Sequence, residues 1–460
     1  HFVVKLFGNS EFTLRFISVL FGIINIFIVY KIARSFFSEE IAFITLILFS
    51  MSSYQIYYSQ EARMYTMYLA FSLLIIYYFL ISIKYNSFAY APYIVFSVLG
   101  LYTHIYILFL IIIINLIYFL KYKEDIRENL WIKANMIILV FCLPLLPFLL
   151  KTIAIGGVAN KVNIILAPIY TFKSFLFGLT VNMNFFVIMM SLFFVFLILI
   201  SIFSNRRYKE KKVIDVLIII ALLFILIPWL QSIIGKPVYS NRTLMPVSFI
   251  FLLLSAIGIS YLFRGIKITI IVLYLIFNFY SLFNYYFIDK YQKINYKKLF
   301  NVIVDEVDTQ KKEMIIIHTN IPSYASFEYL NKFRYKTNFE NRYLSEIPEY
   351  KGSKLKLFIR DSWRVFKEKF KIDIYAGYDK NILTENELKE KINNYQRIYL
   401  VIDDKNGLKQ IDLPHSHVWE TDYVPYKVFE LKDLWWVNNF NIKDIKEIYG
   451  CKLYKLEKKI

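Results

Sequence analysis

The residues best suited to chemistry are those that bring charge into hydrocarbon. Tyr57-Tyr58-Ser59-Gln60-Glu61-Ala62-Arg63-Met64-Tyr65 sets a carboxylate, a guanidinium and three phenols between two apolar runs. Ionisable groups at the end of a membrane span are costly and therefore point to a site. An interfacial tyrosine belt with an arginine on lipid headgroups has the same composition. Three further positions share this setting: His104 in Tyr102-Thr103-His104, and Tyr239 and Arg242 in Tyr239-Ser240-Asn241-Arg242. Arg63 and Arg242 can each hold a phosphate through forked, charge-assisted hydrogen bonds. The phenols, Tyr65 and Tyr239 among them, offer stacking faces for a sugar. His104 can be a metal ligand, a general acid or base, or a structural residue of a helix turn. Beside Glu61 there is no second carboxylate to serve as a general base. Glu61, Arg63, Tyr65, His104, Tyr239 and Arg242 thus describe a substrate site for an anionic, lipid-linked molecule, without specifying a reaction.

The elements that position these residues are membrane spans. Of 460 residues 58% are hydrophobic, 44 are Phe, and the mean hydropathy is +0.48. This is the composition of a polytopic α-helical membrane protein. Apolar runs near the ~20 residues that cross a bilayer fall at 14–30, 41–57, 64–83, 132–150, 185–203, 213–234, 245–262 and 268–288. The run 90–120 is too long for one span and is divided by Tyr102-Thr103-His104. Read as two short spans, it puts the loops 31–40, 84–89, 121–131, 204–212 and 263–267 on one side. Those loops hold thirteen Lys and Arg, against about six in the opposite loops. The positive-inside rule therefore favours two spans there, and about ten in all. The site residues and the segment 151–184, with Gly156-Gly157, Lys161 and Pro168, then face outward.

Charge divides the chain into two domains. Residues 1–288 hold 22 Lys and Arg but 9 Asp and Glu, whereas residues 289–460 hold 32 and 26. Positive cytoplasmic loops account for the first excess, so no nucleic-acid partner is implied. From 289 the composition is that of a soluble α/β domain, placed outside the membrane by the same parity. Met314–His318 and Arg397–Asp403 read as buried strands, and 292–308 and 383–394 as helices, the latter opening on a Thr384/Glu387 capping box. Asp403-Asp404 reads as a strand-end turn rather than a metal pair. Two cysteines, Cys142 and Cys451, make neither a disulfide framework nor a zinc site. The chain begins at His1 with no signal peptide, as expected of a piece of a longer protein.

Four segments together resemble glycosyltransferase family 39 of the GT-C superfamily, relatives of the protein O-mannosyltransferases and aminoarabinose transferases. They are Leu6-Phe7-Gly8-Asn9-Ser10-Glu11-Phe12-Thr13-Leu14-Arg15, Tyr58-Ser59-Gln60-Glu61-Ala62-Arg63-Met64-Tyr65, Leu101-Tyr102-Thr103-His104 and Asn241-Arg242-Thr243-Leu244-Met245-Pro246. In the last, Thr243 stands where the family usually has Tyr. The resemblance implies a plasma-membrane enzyme that passes a sugar from a polyprenyl-phosphate donor to a lipid, glycan or protein acceptor on the outer face. Arg63 and Arg242 would hold the phosphate, Glu61 would shape the site, and Tyr65 and His104 would line it. The family's activating acid lies in the loop after the first span, which here would fall upstream of His1. No cofactor is implied, and a divalent metal is compatible with the site. A transporter or flippase, or a polymerase or ligase of lipid-linked glycans, would share many of these features.

Overall fold

The computed structural model describes residues 7–8, 10–85, 89–123, 128–147, 164–204, 208–234, 238–288, 291, 296–306, 314–318, 340–344, 382–383, 397–402, 440–448 and 451–458. They fall into two compact units that part after Tyr286. The first unit is helical. Helix α1 (Glu11–Phe36) starts where the Ser10 side chain accepts a hydrogen bond from the Thr13 amide, 3.0 Å away. Helix α2 (Glu39–Ser50) is capped by Ser38 and carries Glu39 and Glu40 in its first turn, where the helix dipole favours acids.

Here the structure departs from the single span expected over 41–57. Helix α3 (Ser53–Ser59) follows α2 at an angle of 57°, so the span is broken at Met51-Ser52. A break in hydrocarbon frees backbone groups that other parts of the protein must satisfy. Asn278, distant in sequence, supplies this: its Oδ1 accepts from both Ser53 N and Ser53 Oγ, at 2.8 Å each.

Helices α4 (Tyr65–Tyr85), α5 (Tyr90–Thr103) and α6 (Tyr106–Ile117) come next. The run 90–120 divides at His104, and α6 continues as a π-turn over Tyr118–Tyr122. Helix α7 (Glu128–Cys142) is followed by α8 (Ala167–Phe177), α9 (Phe185–Phe203) and α10 (Tyr208–Ile234). Gly156, Gly157 and Lys161 lie outside the described residues, while Pro168 occupies the first turn of α8. A 3-10 turn, Asn241–Leu244, leads into α11 (Met245–Ser260), with Pro246 in the first turn where its missing N–H costs nothing. Helix α12 (Arg264–Phe287) ends the unit.

Among the described residues seven helices are long and apolar enough to cross a membrane, or eight if the bent α2–α3 pair is one span. The protein is thus a multi-pass membrane protein. The span over Asn241–Ser260 is central, with 89% of its apolar window buried by protein, against 22% for those over Phe185–Phe203 and Arg264–Phe287. Packing at the centre is backbone-close: a Cβ on Gly258 would lie 2.2 Å from the Leu197 carbonyl oxygen, so α9 and α11 can touch there only through glycine.

The second unit holds α13 (Tyr296–Glu306) and a six-stranded sheet. Its strands are β1 (Met314–His318), β2 (Glu340–Leu344), β3 (Ile382–Leu383), β4 (Arg397–Ile402), β5 (Phe440–Ile448) and β6 (Cys451–Lys458), in the order β3-β2-β1-β4-β6-β5. The first four pair in parallel, and β6 and β5 add an antiparallel pair. Ile398, Tyr399 and Leu400 are all buried, the pattern of a strand covered on both faces. Leu383, read from sequence as the start of a helix, is in β3; 384–394 and Asp403-Asp404 lie outside the described residues.

Candidate functional site

The candidate site forms where two chain turns meet. Arg63 lies in the turn between α3 and α4, and Arg242 in the 3-10 turn before α11. Both reach Tyr65. The Arg63 Nη1 donates to the Tyr65 hydroxyl at 3.2 Å, and the Arg242 guanidinium lies 5.6 Å from the Tyr65 ring centroid. Arg63 is exposed, whereas Arg242 is only 8% exposed. Two guanidinium groups thus meet on one phenol, an arrangement that can hold an anion through charge-assisted hydrogen bonds.

Each turn is held by hydrogen bonds from distant helices. Ser18 Oγ donates to the Arg63 carbonyl, Thr66 Oγ1 to the Ser18 carbonyl and Asn25 Nδ2 to the Thr66 carbonyl, each at 2.9 Å. Helix α1 is therefore the post on which the Arg63 turn hangs. The Arg242 turn is held by phenols. Tyr54 donates to the Asn241 carbonyl, Tyr68 to the Thr243 carbonyl and Tyr106 to the Val238 carbonyl, each at 2.7 Å. Those three phenols come from α3, α4 and α6 and satisfy carbonyls that no regular helix reaches.

His104 stands in the turn between α5 and α6, with its ring 4.7 Å from that of Tyr68 and 6.2 Å from that of Tyr65. Its Nδ1 accepts a hydrogen bond from the Tyr106 amide at 3.2 Å. Burial pushes its pKa down to about 4, and the nearby Arg242 charge acts in the same direction. The imidazole is therefore neutral at pH 7 and carries its proton on Nε2, as a hydrogen-bond donor. Tyr239 is fully buried behind the site: its hydroxyl donates to Thr171 Oγ1 at 3.0 Å, which in turn donates to Asn241 Oδ1 at 2.6 Å. Glu61 is half-buried, two residues before Arg63, and its carbonyl accepts from the Arg63 amide at 2.8 Å.

Of the six residues singled out in the sequence, the structure groups Arg63, Tyr65, His104 and Arg242 directly. Glu61 sits on the same turn as Arg63, and Tyr239 braces the Arg242 turn. Sequence reading missed Tyr54, Tyr68, Tyr106, Ser240 and Asn241. The signal was there in part: Tyr68 lies one helical turn after Tyr65, and Ser240-Asn241 are polar residues directly before a buried arginine. Ser240 Oγ and Asn241 Nδ2 are buried and have no protein partner. Among the described residues no three His, Cys, Asp or Glu side chains come together as a metal site.

Residues 1–150 match the family of dolichyl-phosphate-mannose-protein mannosyltransferases. No curated protein matches the chain by sequence. The fold is similar to that of ArnT from Cupriavidus metallidurans bound to undecaprenyl phosphate, with a TM-score of 0.52 and 8% identity over 99% of this chain and 86% of that one. ArnT from the same organism in the apo state aligns with a TM-score of 0.41 and 10% identity, over 99% and 85% of the two chains. The first 150 residues thus resemble the mannosyltransferase family in sequence, and the fold resembles that of ArnT.

Proposed function

We propose that this protein is a membrane glycosyltransferase that takes a sugar from a polyprenyl-phosphate donor and passes it to a hydroxyl of a lipid, glycan or protein. The reaction takes place at the outer face of the plasma membrane, where residues 289–460 form an extracytoplasmic domain. The observation that carries this reading is the meeting of Arg63 and Arg242 on Tyr65 at the edge of the hydrocarbon. Two such groups can hold a phosphate monoanion or dianion by charge-assisted hydrogen bonds. In the transfer, the bond from the sugar's anomeric carbon to the phosphate oxygen breaks, one to the acceptor oxygen forms, and the acceptor hydroxyl's proton is taken up by the released phosphate. Negative charge grows on the departing phosphate, and preorganised cations stabilise the transition state there. His104, neutral with its proton on Nε2, donates a hydrogen bond to a donor oxygen without adding a third charge. Glu61 shapes the rim of the site.

The position of the arginines favours transfer over transport. Arg63 precedes α4 and Arg242 precedes α11, so both lie at span ends rather than midway along a conduction path. The fold resemblance to a protein crystallised with undecaprenyl phosphate, and the family match over residues 1–150, support a polyprenyl-linked donor.

The test is transfer by the full-length protein in membranes, with polyprenyl-phosphate hexose and aminopentose donors supplied separately and polyprenyl phosphate release measured. Arg242→Ala should lower turnover about a hundredfold, the loss of roughly 3 kcal/mol from one charge-assisted contact, with an unchanged melting temperature. Wild-type turnover in this variant would sink the assignment.

A further inference from the structure

Far from the candidate site, the ends of α1 and α4 form a second cationic patch. Helix α4 begins two residues after Arg63 and is 21 residues long. At ~1.5 Å per residue, Lys84 in its last turn lies about 30 Å from the site, at the opposite membrane surface. The two helices clasp each other there by crossed contacts. Lys31 of α1 lies over the Tyr77 ring of α4, 5.5 Å from its centroid. Lys84 of α4 donates to the Ser35 carbonyl of α1 and lies 5.4 Å from the Phe36 ring centroid. Phe36 and Tyr77 meet edge to face at 6.2 Å, and the Tyr77 hydroxyl is 3.4 Å from Ser35 Oγ. Both lysine heads therefore rest on one pair of rings.

The charge of this patch is not balanced. Arg34 pairs with Glu39 at 3.7 Å and Lys267 with Glu40, which takes up the two acids that open α2. Lys31 and Lys84 have no carboxylate partner among the described residues. Below Lys31 the flank is apolar. Ile23, Phe27 and Lys31 follow at four-residue spacing along one face of α1. Ile23 and Phe27 are 50% and 70% exposed on this membrane span. An apolar stripe that ends in two such lysines complements an amphiphile with a negative head, and basic pockets between spans hold anionic headgroups in this way. A free phosphate would engage the lysines but not the stripe.

We propose that the ends of α1 and α4 hold an anionic phospholipid, with its phosphodiester against Lys31 and Lys84 and its chain along Phe27 and Ile23. The site is independent of the transfer reaction. Its occupant bridges α1 and α4, the helices whose hydrogen bonds also fix the Arg63 turn.

The test uses the full-length protein in detergent, with phosphatidylglycerol and phosphatidylcholine of identical chains as probes. Retention is read by native mass spectrometry and stability by melting temperature. The wild type should retain phosphatidylglycerol at least about tenfold better and melt higher with it. Lys31→Gln and Lys84→Gln should each lower that preference about fivefold, the worth of one lysine at an anionic lipid surface. Lys31→Arg should keep it. Lys31 is exposed, so Lys31→Gln keeps the test decisive if Lys84→Gln does not fold. Lys211, exposed near the start of α10, is the control. The carbonyl of its neighbour Lys212 meets the Tyr122 hydroxyl, beyond the end of α6 remote from His104, so Lys211 lies at the same membrane surface. Lys211→Gln should change nothing. Equal retention of the two lipids by the wild type, or an equal loss in Lys211→Gln, would overturn the proposal. So would displacement of the lipid by millimolar glycerol phosphate, which would make the lysines a site for free phosphate.

Discussion

Two buried asparagines in the helical unit are used in opposite ways. Asn278 is saturated: Oδ1 accepts from Ser53 N and Oγ, and Nδ2 donates to the carbonyls of Leu176 at 2.9 Å and Tyr274 at 3.0 Å. Around it, Thr180 Oγ1 donates to the Ser281 carbonyl at 2.7 Å and Asn284 Nδ2 to the Thr180 carbonyl at 3.3 Å. Gly178 completes this region with φ +82°, and a Cβ there would lie 2.1 Å from Ser53 Oγ. Asn241 is different: its Oδ1 is paired with Thr171, while its Nδ2 and the adjacent Ser240 Oγ have no protein partner. The first region ties the broken span to α12 and to the turn after α8. The second flanks Arg242. A saturated polar network in a low dielectric commits the backbone to one geometry. Open donor capacity beside a cation prepares a place for oxygen-rich, anionic ligands.

Substituting each asparagine should separate the two roles. Asn278→Ala orphans the Ser53 amide and the Leu176 carbonyl and should cost about 3 kcal/mol of stability, read as a lower melting temperature in detergent. Its remaining activity should follow the folded fraction. Asn241→Ala should cost only about 1 kcal/mol in stability but slow transfer about tenfold at saturating acceptor, because it removes a donor that faces no protein group. If Asn278→Ala slowed turnover while leaving the melting temperature alone, or Asn241→Ala did the reverse, the contrast would fail.

His104 tests the electrostatic side of the same cluster. Its pKa falls from an ordinary 6.5 to about 4 in the folded protein. Between those values the unfolded chain binds a proton that the native state does not. Stability therefore rises with pH across pH 4 to 6.5 and is flat above it. Since the ring is only half-buried, about 1 kcal/mol is expected over that window, less than full linkage would give. His104→Asn keeps an acceptor for the Tyr106 amide and should flatten the profile, as measured by unfolding at a series of pH values. A slope that survives in the variant belongs to another group.

Much of this architecture is legible in the sequence because hydrocarbon leaves few choices. Apolar runs near ~20 residues must be helices, and Thr103-His104 interrupts a run too long for one. The site arginines stand out for the same reason. The break at Met51-Ser52 is different, since nothing in Ser50–Ser53 forbids a helix there. It is fixed by Asn278, whose bonds to Ser53 span 225 positions. Tyr54, Tyr68 and Tyr106 were likewise hidden among 38 tyrosines. Their work is to satisfy carbonyls 187, 175 and 132 positions away, which no local pattern encodes. Tyr239 looked like a sugar platform but lies wholly within the protein, because its hydroxyl had a buried partner in Thr171.

The smallest expected effect concerns Lys173, which stands between the two regions in kind. It is 2% exposed, and its Nζ donates to the carbonyls of Gly178 at 3.2 Å and Val181 at 2.8 Å. On position alone it belongs to the saturated scaffold, since both bonds shape the turn after α8. Burial opposes charge on this amine, so its bonds are won against a desolvation cost and a well-packed apolar isostere often does as well. Lys173→Met keeps the length and bulk of the side chain, so stability should change by no more than about 1 kcal/mol. Transfer should be unaffected. A large loss of turnover at constant melting temperature would instead move Lys173 from the scaffold to the substrate site, and would add a third cation to the pair that meets on Tyr65.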